Sequence, residues 1–137
     1  MEPFLPKEYQ YNIKAEKEQE GMFATNYEAI HPETDIAPFE IIVNEVPTSI
    51  MNIKDVVARF EETAANYGSD IQLHLLNKED KQKTNRRLYK MSHELSTILM
   101  LMMEKGDRFT MIEVEFHPED FETVSLERWQ EAFWQVK

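Results

Sequence analysis

Leu88-Tyr89-Lys90-Met91-Ser92-His93-Glu94-Leu95-Ser96-Thr97-Ile98-Leu99-Met100-Leu101-Met102-Met103 is the stretch whose conformation fixes the rest of the chain. Leu88, Met91, Leu95, Ile98 and Met102 step by 3, 4, 3 and 4 residues, the spacing of a helical seam. Beyond Ile98 every residue to Met103 is apolar, as in a helix end enclosed on all sides. Leu and Met favour helix, Asn77 with Asp80 offers a start, and Gly106 offers a stop. The spacing therefore predicts one long helix over Lys78–Lys105, with Leu95 and Ile98 buried. A hairpin of Leu95–Met103 with Arg108–Phe116 is the rival reading, and it yields because the seam begins well upstream.

Working outward, Thr48 to His117 holds no proline, whereas Pro3, Pro6, Pro32, Pro38 and Pro47 crowd the front. Tyr9, Tyr11, Ile13 and Ala15 alternate with polar residues and read as a strand, with a turn at Lys17–Gly21. Met22–Ile30 fits strand or helix, and a strand is preferred because it would pair with the first. Phe39, Ile41 and Val43 mark a third strand, Ile71, Leu73 and Leu75 a fourth, and Ile112, Val114 and Phe116 a fifth. Asn52 can cap a helix carrying Ile53, Val56, Val57, Phe60, Ala64 and Tyr67 on one stripe, with Gly68 to end it. Ser125 can cap a final helix with Leu126, Trp129, Phe133 and Val136 on one face, and Trp134 off that stripe. The expected fold is a small single α+β domain over 1–137. It has a mostly antiparallel sheet of four to five strands, one long and two shorter helices, and a disordered N-terminal segment at 1–8.

The 137 residues suffice for one core. Zero cysteines exclude disulfides, thiolate metal sites and cysteine nucleophiles, and three glycines cannot build a P-loop or dinucleotide fingerprint. The apolar run Ile98–Met103 is far short of a membrane span, and Met1-Glu2-Pro3-Phe4 lacks the basic start of a secretory signal. A net charge of −11 disfavours direct binding to nucleic acid or an anionic membrane. The charge is uneven: 3 basic against 10 acidic residues over 1–52, 10 against 9 over 53–108, and 2 against 7 over 109–137. Lys78, Lys81, Lys83, Arg86, Arg87 and Lys90 form a basic middle that could pair with acidic ends within or between subunits.

The search for catalytic chemistry is mostly negative. Ile30-His31-Pro32-Glu33 and Phe116-His117-Pro118-Glu119 are alike, and converging turns could offer a mixed nitrogen and oxygen metal shell, with Asp35 and Asp120 nearby. Proline turns explain the similarity more simply. His93-Glu94 has Thr97 where a zincin needs its second histidine, and Glu28 with His31 supplies one ExxH pair where a di-iron bundle needs two. No catalytic residue, cofactor site or metal site is therefore assigned.

Met91, Met100, Met102, Met103 and Met111 suit adaptable apolar contacts, and Trp129, Phe133 and Trp134 crowd the last nine residues. The expected function is a non-catalytic cytoplasmic protein–protein interaction protein, an accessory or adaptor of bacterial or phage type. It would act through Trp134, Trp129, Arg86, Arg87, Lys90 and Met102, and would form a homodimer. One alternative is an acidic mimic of nucleic acid that blocks a DNA-binding protein, using Glu113, Glu115, Glu40, Glu45 and the Glu16–Glu20 run. A second is a metal-dependent hydrolase built on the two His-Pro-Glu turns.

Overall fold

The computed structural model describes residues 6–7, 9–31, 39–66, 70–118, 120 and 124–136. Seven strands and two helices follow one another: β1 (Gln10–Gln19), β2 (Met22–Ile30), β3 (Phe39–Pro47), α1 (Ile53–Asn66), β4 (Ile71–Asp80), β5 (Thr84–His93), β6 (Thr97–Lys105), β7 (Arg108–Phe116) and α2 (Leu126–Trp134). The strands form one sheet in the order β1-β2-β3-β7-β6-β5-β4, with every neighbouring pair antiparallel. Two meanders, β1–β3 and β4–β7, thus lie side by side and join where β3 pairs with β7, Ile41 opposite Val114 and Pro47 opposite Arg108.

The long helix expected over Lys78–Lys105 is replaced by the end of β4, all of β5 and β6, and their turns. Among the described residues the sheet has seven strands instead of four to five, and two helices stand where three were expected. The apparent seam is scattered. Leu88 faces the α2 side, Met91 and Ile98 pair on the α1 side, and Leu95 sits in the β5–β6 turn, 69% exposed. The physical reason lies in β6, a central strand buried on both faces, where no polar residue marks a period of two. Leu99, Leu101 and Met103 point to the α2 side, and Met100 and Met102 to the α1 side. The rival reading, a hairpin of β6 with β7, is the one that forms.

Turn chemistry supports each meander locally. Glu20 (φ 52°) and Gly21 (φ 80°) are both left-handed between paired Gln19 and Met22, a type I′ hairpin turn. Gly106 (φ 60°) opens the two-residue turn between paired Lys105 and Arg108.

The expected strands near the front, the strand starting at Ile71 and the strand ending at Phe116 are all present, and Met22–Ile30 is a strand. Asn52 caps α1, its Oδ1 accepting from the Asp55 N–H at 3.0 Å, while the Ile53 N–H donates to Glu104 at 2.8 Å. Gly68 and Tyr67, assigned to the end of that helix, lie outside the described residues. So do residues 1–5 and 8 of the N-terminal segment, although the Pro6 carbonyl accepts from the Tyr11 hydroxyl at 2.6 Å. Ser125 caps α2, accepting the Arg128 N–H at 3.4 Å.

The helices lie on opposite faces. Trp129 and Phe133 of α2 cover Phe39, Ile41, Leu88, Leu99, Leu101, Ile112, Val114 and Phe116, with Tyr9 against the Trp129 ring at 5.3 Å. On the other face Ile53 of α1 packs with Tyr89, Met100, Met102 and Phe109, and Val56, Val57 and Phe60 lie at the margin. Among the described residues no helix is long and apolar enough to cross a membrane.

Candidate interaction surface

The sheet is seven strands wide, and α1 packs over β6, β5 and β4 and the Val46–Phe109 end of β3 and β7. The rest of that face presents its alternate side chains unpacked by α1. Register places them in rows. Glu28 of β2 is directly opposite Glu40 of β3. One step beyond Ile41–Val114, the last pair of that ladder, come Glu40 and Glu115 of β7, and one step further the rings of Phe39 and Phe116 are in contact. The next row holds Asn26, Ile42 and Glu113, and the one after it Ala24, Asn44 and Met111, of which Met111 already packs against the core under α1. Ile42, Glu113, Asn44 and Met111 are half-buried, and Glu40 and Glu115 are exposed.

The electrostatics of these rows are unusual for a folded sheet, because like charges directly opposite one another destabilise the pair. Asn26 Nδ2 donates to Glu40 Oε1 at 3.0 Å, and His117 Nε2 lies 3.7 Å from Glu115, a cation only when protonated. Burial, and then the neighbouring Glu115, push the Glu113 carboxyl above its ordinary value. Lys17 shares the face but lies at the level of Ala24, about 13 Å along the strands from Glu28.

At the turn end of β4 and β5 the chain neutralises two of its own acids. Glu79 binds Lys81 at 2.6 Å and Arg86 at 2.5 Å, and Asp80 binds Arg87 at 2.6 Å and Lys78 at 3.4 Å. Hydrogen bonds from Lys81 and Arg86 hold Glu79 below its ordinary pKa, and the bond from Arg87 does the same for Asp80.

The six residues singled out from sequence do not form one surface. Trp129 is 1% exposed and Met102 fully buried, each in the core of a different face of the sheet. Arg86 is buried on the α2 side, its guanidinium 3.9 Å from the Trp134 ring centroid, so Trp134 is already stacked within its own domain. Arg87 lies on the α1 side opposite Met102 and pairs with Asp80. Lys90 lies opposite Leu99, on the α2 side. The carboxylates considered for nucleic-acid mimicry also divide. Glu40, Glu113 and Glu115 share the α1 side, whereas Glu45 is level with Thr110, and Glu16 with Thr25, on the other.

His31 and His117 end strands two places apart, roughly 10 Å at the backbone by strand spacing. Glu33, Asp35 and Glu119 lie outside the described residues. Among the described residues no group of three or more His, Asp or Glu side chains could hold a metal ion. A cleft of about 340 Å³ at the free end of β4 and β5 is lined by Asp70, Gln72, Ser92, His93 and Glu94, without an apolar wall.

Glu28 was noted in sequence only for its spacing to His31, and no local pattern ties it to Glu115. Their juxtaposition depends on β3 pairing with both β2 and β7. The chain matches no protein-family model and no curated protein, so the geometry alone bears on what it does.

Proposed function

We propose that this chain is a non-catalytic cytoplasmic interaction protein that binds a different protein through the part of the sheet that α1 leaves bare. The observation that carries this reading is the row Glu28–Glu40–Glu115, bordered by half-buried Ile42, with Met111 two rows on at the margin of the core under α1. A row of like charges weakens the free fold, and a partner that covers it offsets that loss. Twofold self-association through this face would set the glutamates against their own copies, so a homodimer is disfavoured there. Trp134, the aromatic anchor that the sequence offers for a dimer, is engaged by Arg86.

Blocking the face tests the reading. Asn44→Trp places a bulky ring in the middle rows, and Glu62→Trp places one on an exposed position of α1. The protein isolated with its partner from its own cells should lose that partner in Asn44→Trp and keep it in Glu62→Trp. Equal retention by both variants, or no co-purifying protein with the unaltered chain, removes this face as the binding surface.

A further inference from the structure

Resting on that reading, we infer that the partner contributes a short cationic segment, with lysine or arginine side chains over Glu28, Glu40 and Glu115 and apolar ones over Ile42 and Met111. Three features of the face argue for it together. The first is contrast with the β4–β5 end of the sheet, where Glu79 and Asp80 are each held by two of the chain's own cations. Glu28, Glu40 and Glu113 make no ion pair with Lys or Arg among the described residues, although the sequence carries 15 such residues.

The second is size. Adjacent strands lie about 4.8 Å apart and alternate residues about 6.8 Å apart, so the four carboxylates occupy roughly 10 by 7 Å. That is the footprint of two helical turns or a few extended residues. A nucleic-acid duplex carries a charge about every 1.7 Å of its axis over a far longer track. The further glutamates that might lengthen the patch, Glu16 and Glu45, lie on the opposite face. A short basic segment fits this surface, and the groove of a duplex-binding protein does not.

The third is apolar continuity. Glu115 is level with Ile98 of β6, and Met111 with Met102, so the carboxylates run directly into the apolar margin beside α1. A segment with basic and apolar stripes meets both at once, and the charged pairs set its orientation while the apolar contact supplies most of the affinity.

Titration calorimetry at low ionic strength with the acetylated, amidated peptide LKKALKKALKKA, and with its charge-reversed analogue LEEALEEALEEA, tests the inference on the full chain. The first should bind, weaken with added salt, and lose about tenfold or more in affinity in the triple variant E28Q/E40Q/E115Q. The triple E16Q/E18Q/E62Q makes the same change in net charge away from the face and should lose less than about twofold. Circular dichroism on both triples confirms that they fold, which is expected because Glu→Gln removes repulsion. Equal losses in the two triples would mean that overall charge does the attracting, and would overturn the inference. Failure of the cationic peptide to bind the unaltered chain would also overturn it. Equal binding of the acidic analogue would overturn the cationic character alone, leaving the blocking experiment with Asn44→Trp to judge the surface itself.

Discussion

Arg86 ties the C-terminal helix to the sheet with one planar group. Its Nε and Nη2 donate to the Glu79 carboxylate at 2.6 and 2.5 Å, and Nη1 donates to the carbonyls of Trp134 and Val136 at 2.8 and 2.9 Å. Those carbonyls belong to the last turn of α2 and the residues after it, where no further helical N–H exists to satisfy them. The same cation stacks on Trp134. Only the fork of arginine does all of this, since lysine is a single point of charge. Arg86→Ala should therefore cost about 2–3 kcal/mol, from carbonyls left unpaired in a dry site, and Arg86→Lys should recover less than half of that. Urea unfolding measures both. A loss under about 0.5 kcal/mol for Arg86→Ala would mean that water replaces the guanidinium freely.

At the scale of elements, β5 and β6 carry the clearest consequence. Leu95 lies exposed in a turn and Leu101 lies fully buried beneath α2, although a helix would have buried both. Leu95→Ala should change stability by less than about 0.5 kcal/mol, whereas Leu101→Ala should cost about 2–5 kcal/mol. The reverse order in thermal or urea unfolding would restore the helix.

These two strands also show why part of the fold was legible in the sequence and part was not. β3 and β7 alternate because one face is wetter than the other, and the caps of α1 and α2 announce themselves in Asn52 and Ser125. β6 is sealed on both faces, so its residues are uniformly apolar, and the helix propensity of Leu and Met then misleads. Length is the better arbiter, because a six-residue apolar run suits a central strand. The interaction surface was less legible still. Glu40, Glu113 and Glu115 were visible as candidates, but Glu28 joins them only through pairings between residues far apart in the chain.

For the whole molecule, carboxylates of opposite character set the response to pH. Glu79 and Asp80 have folded-state pKa values below their ordinary 4.5 and 3.8, so their stabilisation is present above those values and is lost as pH falls through the folded ones. Glu113 is raised, so its contribution runs the other way, present below its ordinary 4.5 and lost as pH rises through the folded value. Glu113→Gln should therefore melt higher than the unaltered chain at neutral pH, with the gain shrinking as pH falls through the raised folded value and gone below about 4.5. Glu79→Gln should melt lower at neutral pH, with its deficit shrinking as pH falls through the depressed value. Melting curves across this range in parallel check both signs, and a Glu113→Gln variant less stable at neutral pH would contradict the first.

The junction of β3 with β7 also governs how the chain leaves the ribosome. Ile41 must wait for Val114, so the N-terminal meander is made roughly 4–15 s before its central partner exists, at about 5–20 residues per second. During that interval β3 is an open edge rich in β-branched residues, the kind of surface that recruits other strands. The alternating charges of Gln10–Gln19 guard the other margin of the meander but leave this one bare. Nascent chains crowded on one message would therefore be most prone to mispair at Phe39–Pro47, and a chaperone that shields this segment until β7 emerges would raise the yield of folded protein.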